Sequence, residues 1–318
     1  MSDLGYVLVL AGGLSYEREV SLRSGRRVSE VLRTAGISVE TRDTDASLVP
    51  SILADPPDAV FVTLHGGAGE DGAIRSVLEL LSVPYVGAGP DACRVAFDKP
   101  TAKTVVRSVG VRTPDSVTLP KETFHDLGAS TVLTRIIERL GLPLFVKPSR
   151  GGSALGASIV RAAEDLPAAM VGCFAYGDTA LIERCIEGVE IAVSVVDLGG
   201  GPVALPPVEI VPDKGVYDYA ARYTAGHTEF FAPARLSPEA AAACAEMAVT
   251  AHTALGLRDI SRTDLIVDDA GLPHFLEVNV APGMTETSLL PMAVEAAGDD
   301  LGTLCRVLLE QAATRGTA

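Results

Sequence analysis

The stretch TDLIVDDAGLPHFLEVN, from Thr263 to Asn279, reads as two strands joined by a tight turn, with acids where a sheet prefers apolar residues. The turn signal is DDAGLP, and the flanking runs DLIV and HFLEV have the β-branched and aromatic content of strands. A hairpin centred between Ala270 and Gly271 sets Asp264 opposite Glu277, and the two-residue side-chain period puts Asn279 on the same face. The opposite face then shows Leu265, Val267, Leu276 and Val278, an apolar set that anchors the hairpin on a core. Two carboxylates facing each other across a strand pair cost about 0.2–1 kcal/mol, and more when desolvated. A positive group between them removes that cost. Hard oxygen ligands, few in number, suit Mg²⁺ that keeps its waters and takes further ligands from a substrate phosphate. The plainer alternative is a solvated sheet face with ordinary surface acids.

Upstream of the hairpin, the first third of the chain alternates strand and helix. YVLVLAGG leads to a helix from about Ser21 to Ala35, then come ISVETRD and AVFVTLHGG, a helix from about Gly72 to Leu81, and PYVGAG. That pattern predicts a small parallel α/β unit. The basic helical stretch DKPTAKTVVRSVG follows, and TPDSVTL opens a second unit holding the strand LFVKP, the glycine-rich turn SRGGSALG and the strand ASIV. TALIERCI, GVEIAVSVVDL and PVALPPVEIV then predict a largely antiparallel sheet. VYDYAARYTAGHTEFFAPARL reads as a long irregular segment, of the kind that carries function in compact domains. An alanine-rich helix from about Pro238 to Leu255 returns to the hairpin, and a helix closes the chain.

The 318 residues exceed one typical domain. The chain is 47% hydrophobic and 21% charged, with no run of eighteen apolar residues and no basic leader, which predicts a cytoplasmic location and no membrane partner. A net charge of −15 argues against a nucleic-acid surface, so any anionic ligand needs local cations. Five cysteines without CxxC spacing fit reduced packing thiols.

Two further segments point to chemistry. SRGGSALG lacks the P-loop pattern, yet glycines in a strand-turn-strand let backbone N–H groups approach a phosphate, with Lys147 on the preceding strand supplying charge. Taken singly, it also fits a plain hairpin. HGGAGEDG places His65 at a strand end, where ligands of open α/β sheets gather, while Asp71 reads as a helix cap. SYEREVSLRSG has the same geometry, with Glu17 or Glu19 as first-turn acids.

EREVSLRSG, TLHGGAGEDG, LELLSVPYVGAG, the DK at Asp98 and Lys99, LFVKPSRGGSALG, YDYAARY and LEVNVAPGMTETSLLPM stand in one order across residues 6 to 298. In that order and approximate spacing they resemble the bacterial D-alanine–D-alanine ligases of the ATP-grasp superfamily. The resemblance implies an α/β chain, α+β overall, with the ATP-grasp fold and an N-terminal parallel α/β domain. Its domains fall at 1–98, 99–186 and 187–318, with ATP gripped between the last two. It implies ATP and two Mg²⁺ ions as cofactors, with Mn²⁺ able to substitute, and a homodimer serving peptidoglycan precursor synthesis.

Residue by residue, Asp264, Glu277 and Asn279 match the family's metal ligands. Lys99 and Lys147 match its phosphate-contacting lysines, and Glu183 and Glu190 its adenine- and ribose-holding positions, with Arg184 and Arg222 where lysines are usual. Glu17 matches the acid that takes the first substrate's ammonium, with His65 near that substrate's carboxylate. Ser153 and Tyr223 match the residues that close the long loop over Glu17. Arg262 and the Gly283 N–H match an oxyanion hole, and Ser288 and Leu289 the dock for the second D-alanine's carboxylate. Three departures, Arg222, the GGSA flap and Glu286 in ETSL, open a second reading in which the acceptor is another D-amino acid. A third reading, from a different class, is a catalytically silent nucleotide-binding protein. Retention of Arg262 and Glu17 speaks against it.

Overall fold

The computed structural model describes residues 4–213 and 226–316. Strands β1 (Tyr6–Leu10), β2 (Ser38–Arg42), β3 (Ala59–Val62) and β4 (Tyr85–Val86) form a parallel sheet in the order β2-β1-β3-β4. β1 and β3 are covered on both faces, which is why YVLVL and AVFV read as unbroken apolar runs. Helices α1 (Arg18–Thr34), α2 (Leu48–Ala54) and α3 (Ala73–Leu80) flank this sheet, with Leu48, Ile52 and Leu78 meeting Leu8, Leu10 and Val60 on one face. α4 (Pro90–Phe97) and α5 (Lys99–Ser108) follow end to end, and Asp98 caps α5 by accepting from the Thr101 N–H.

Strands β5 (Ser116–Pro120), β6 (Leu144–Pro148), β7 (Ser158–Val160) and β8 (Thr179–Arg184) make an antiparallel sheet in the order β5-β8-β6-β7. Helices α6 (Lys121–Leu127), α7 (Ala129–Leu140) and α8 (Leu166–Phe174) accompany this sheet and share its apolar core.

The remaining strands are β9 (Val189–Asp197), β10 (Pro202–Ala204), β11 (Val208–Pro212), β12 (Thr228–Phe231), β13 (Ile260–Val267) and β14 (Pro273–Asn279). They form a second antiparallel sheet, β12-β11-β9-β13-β14, with β10 added on β9. α5 and α9 (Pro238–Ala254) pack on one face of it, through Ala102, Val106, Cys244 and Ala248. α10 (Leu289–Ala296) packs on the other. The last helix, α11 (Leu301–Arg315), crosses back onto α1, β3 and β4, so that Leu304 and Leu308 share a core with Val7, Val9 and Phe61.

Two expectations change. The segment read as wholly irregular contains β12, which pairs Phe230 with Ile210 on β11. The hairpin is not regular either. Asp264 pairs with Glu277 as expected, but Leu265 pairs with Phe275, so a β-bulge leaves Leu276 without a partner. Phe275 takes the core position expected for Leu276, and Leu276 turns to the same side as Glu277.

Candidate active site

Two cavities share Glu277 in their walls, one of about 580 Å³ between the two antiparallel sheets and one of about 80 Å³ among the loops that follow β1, β3 and β14. Lys99, Lys147, Glu183, Arg184, Glu190 and Asp264 line the first. Glu17, His65, Ser153, Arg262, Asn279, Gly283, Ser288 and Leu289 line the second. Every residue that the resemblance matches to a family site position therefore borders one cavity or the other, apart from Arg222 and Tyr223, which lie outside the described residues; Glu19, the alternative to Glu17, borders neither.

The hairpin's polar face is built by register. Arg262 and Asp264 are two apart on β13 and so share a side; Nε and Nη2 of Arg262 donate to both Asp264 oxygens, at 2.7 and 2.8 Å. Asn279 Nδ2 donates to the same carboxylate at 3.2 Å, and Lys99 Nζ stands 3.5 Å from Glu277. The donor set therefore comprises two opposed carboxylates and an amide, an oxygen set that fits a hard divalent cation. Among the described residues no group of three or more His, Cys, Asp or Glu side chains is placed for a metal. Further ligands would have to come from water or a phosphate. A carboxylate has about four lone-pair sites, so Asp264 can keep its arginine and still face an ion.

Behind this face lies a triad that the sequence reading missed. Lys103 Nζ is 2.6 Å and Lys147 Nζ 2.9 Å from the two oxygens of Glu183. All three side chains are buried. The available signal was Lys103's position four residues after Lys99, which puts both ammonium groups on one face of α5. Burial pulls Lys103 down to about 8 despite its carboxylate partner. Burial opposes ionisation of Glu183 as well, yet the two lysines hold its carboxyl below the ordinary range. The resemblance assigns Glu183 to adenine; in the structure both of its oxygens face lysines.

In the smaller cavity, Ser153 Oγ donates to Glu17 Oε1 at 2.5 Å across 136 positions of sequence, tying the glycine-rich loop to the start of α1. Gly152 permits this approach, since a Cβ there would sit 2.7 Å from the same oxygen. Gly283 is constrained likewise, because its Cβ would stand 2.6 Å from Ser288 Oγ. Ser288 precedes α10, so the first-turn N–H groups at Leu289 open toward the cavity and suit a carboxylate.

His65 borders this cavity with both ring nitrogens engaged. Its Nδ1 donates to the Ala281 carbonyl at 3.0 Å, so Nε2 accepts from Ser24 Oγ at 2.9 Å, and Ser24 in turn accepts from the Met284 N–H at 3.1 Å. The ring thus ties α1 and β3 to the loop after β14, in addition to whatever it presents to a ligand. Burial lowers its pKa to about 4. Glu70, also buried at the cavity, is pushed up to about 8 by burial and then by the Glu17 charge, whereas Asp71 does cap its helix, accepting from the Ala73 N–H at 2.8 Å.

A pH dependence follows from His65. The unfolded chain takes up a proton near pH 6.5 and the folded chain near 4, so His65's stabilising contribution is present above 6.5 and is lost as pH falls through that window. The loss reaches about 3 kcal/mol at the acid end. Glu70 acts oppositely between 4.5 and 8. Comparison with His65→Gln isolates the first effect: the stability gap between wild type and variant should shrink as pH falls from 7 to 4.5 in denaturant titrations. A constant gap would refute it.

Glu286, expected near the acceptor, instead points outward and sits 3.6 Å from Arg23, leaving Thr285 and Thr287 on the cavity wall. Arg184 turns its Nε to the Leu140 carbonyl at 3.1 Å.

Known proteins resemble this chain along most of its length. Residues 105–310 match the family described as D-ala D-ala ligase C-terminus, and residues 38–88 its N-terminus. The chain belongs to the D-alanine–D-alanine ligase family. It is 40% identical to the "D-alanine--D-alanine ligase" of Nitrosospira multiformis over 93% of both chains. It is also 40% identical to that of Pelotomaculum thermopropionicum, over 96% of this chain and 95% of the relative. Among solved ligase structures, the Bacillus anthracis enzyme complexed with ATP superposes with a TM-score of 0.80 at 28% identity, covering 97% of this chain and 96% of its own. The VanG D-Ala:D-Ser ligase of Enterococcus faecalis gives 0.83 at 28% identity, covering 98% and 100%. The fold is accordingly the ATP-grasp fold of these ligases. No described helix is long and apolar enough to cross a membrane.

Proposed function

We propose that this chain joins two D-alanine molecules at the expense of ATP, giving D-alanyl-D-alanine, ADP and phosphate, for peptidoglycan precursor synthesis in the cytoplasm. The observation that carries the reading is the meeting of the two cavities at Glu277, one lysine-lined and large enough for a nucleotide, the other small and lined by Glu17 and Arg262. The carboxylate of the first D-alanine attacks the γ-phosphorus and ADP leaves, forming an acyl phosphate. The amine of the second attacks the acyl carbon, and phosphate leaves as the amide forms.

In this scheme Lys99 and Lys147 neutralise phosphate charge, because phosphoryl transfer rests on positioning and electrostatics. Glu17 takes the first substrate's ammonium, and Ser153 holds Glu17 in place. Arg262 and the Gly283 N–H face the tetrahedral oxyanion. Ser288 and Leu289 receive the second carboxylate at the α10 terminus. Asp264, Glu277 and Asn279, the last with its amide turned to present Oδ1, would hold Mg²⁺ or Mn²⁺, which supplies charge neutralisation across the phosphates. Glu190 and Arg184 line the nucleoside end of the larger cavity, with Arg222 and Tyr223 assigned to the covering loop by resemblance alone. A homodimer completes the proposal and is checked by sedimentation.

The test is product identification by mass spectrometry after incubation with ATP, Mg²⁺ and D-alanine mixed with D-serine. D-Alanyl-D-alanine as the main product supports the reading. D-Alanyl-D-serine in excess would transfer it to a different acceptor, and folded protein yielding neither ADP nor dipeptide would overturn it. Ser153→Ala should cost kcat/KM for D-alanine about tenfold or more, the scale of one hydrogen bond to a charged group. An unchanged value would remove Ser153 from the site.

A further inference from the structure

Three acids that line the larger cavity, Glu277, Asp264 and Glu183, each meet a cation. Lys99 stands against Glu277, Arg262 is forked on Asp264, and Lys147 is paired with Glu183. Within these three pairs the formal charges balance. Lys103 adds one further positive charge to the set from outside the cavity wall. It is 1% exposed, reaches Glu183 from behind at 2.6 Å, and donates to the Phe275 carbonyl at 3.2 Å. That carbonyl lies on the free edge of β14, whose Phe275 N–H bonds to the Arg112 carbonyl, so Lys103 also covers an otherwise open strand edge beside the bulge.

We infer that Lys103 is a positioning residue for nucleotide binding: by taking up one oxygen of Glu183, it leaves Lys147 with the uncompensated positive charge that the phosphates require. Burying an ammonium is unfavourable unless it is paired and hydrogen-bonded, and Lys103 has both an acid and a carbonyl. A purely structural filler of the same volume would be apolar, since replacing buried ionic groups with well-packed apolar ones is often neutral or stabilising. Removing only Lys103 makes Glu183 the sole property of Lys147 and closes the cluster at zero net charge. The inference rests on the ATP-binding half of the proposed function and is independent of what the enzyme ligates.

The experiment compares wild type, Lys103→Met, Lys103→Arg and the double variant Lys103→Met/Glu183→Gln. Dissociation constants for ATP and for adenosine are measured by calorimetry, and steady-state KM and kcat are taken alongside. Lys103→Met should weaken ATP by about tenfold or more while adenosine changes less than about threefold, as expected for loss of charge complementarity. The kinetic loss should fall on KM for ATP rather than on kcat. Lys103→Arg keeps the charge and should lose less. The double variant returns the cluster to one surplus cation and should recover ATP binding relative to Lys103→Met; should the single variant not fold, the double variant is compared directly with wild type. Equal losses for ATP and adenosine, or a folded double variant binding ATP more than about tenfold worse than wild type, would overturn the inference. Wild-type protein that binds ATP in this pattern but forms no dipeptide would overturn the proposed ligation alone.

Discussion

Glu277→Gln should reduce ATP-dependent ligation by about a thousandfold or more, the upper scale for losing a preorganised charge-stabilising group, while leaving the fold intact. The residue is common to the walls of both cavities and opposes Asp264 across the hairpin. A carboxamide keeps its volume and removes its charge. The ion pair with Lys99 is long, at 3.5 Å, Lys99 Nζ keeps its hydrogen bond to the Gly151 carbonyl at 2.6 Å, and repulsion between Glu277 and Asp264 is relieved, so the loss costs little stability, about 1 kcal/mol, the scale of one hydrogen bond. A melting temperature within about 4 °C of wild type is therefore expected. Turnover within tenfold of wild type would remove Glu277 from the proposed metal site.

Arg262→Met should lower kcat by about 10²–10³, the range for one lost oxyanion donor, and should also destabilise the chain. The second effect follows because Asp264, 5% exposed, would lose both of its guanidinium hydrogen bonds and keep only the Asn279 amide. Breaking a buried pair from one side costs about 3–5 kcal/mol. Arg262→Lys separates the two effects. A lysine restores the charge beside Asp264 but not the planar fork, so stability should largely return while kcat stays low. Full recovery of kcat in Arg262→Lys would show that charge alone is needed there.

The hairpin illustrates how much the sequence discloses. Asp264, Glu277 and Asn279 were legible because strand period and turn chemistry are local, and the pairing of Asp264 with Glu277 is the one observed. The bulge was not legible. Nothing in HFLEV distinguishes Phe275 from Leu276 as the core residue, since both are apolar and the choice depends on Phe275 packing with Ile191 and Ala248 from other elements. The Lys103 triad was hidden for a similar reason, because three residues from α5, β6 and β8 meet only once both sheets are assembled. His65 does border the smaller cavity, but its internal bonds to Ser24 and Ala281 depend on partners 41 and 216 positions away. Glu286 sits between Thr285 and Thr287 of the cavity wall, but sequence position does not tell which way a side chain points, and here Arg23 draws it outward. The short helix α2 carried too few periods to stand out.

The return of α11 to the first sheet bears on how the protein is made. The side of β1 and β3 that faces Leu304 and Leu308 is covered by Val28 and Leu32 of α1 alone at first, and its cover is completed only after residues 301–315 have left the ribosome. Arg315 then locks the arrangement by a two-pronged contact with Asp259 and a hydrogen bond to the Tyr85 carbonyl. The earliest-translated unit is thus among the last to be finished, and its partly covered sheet during synthesis is a natural client surface for a chaperone.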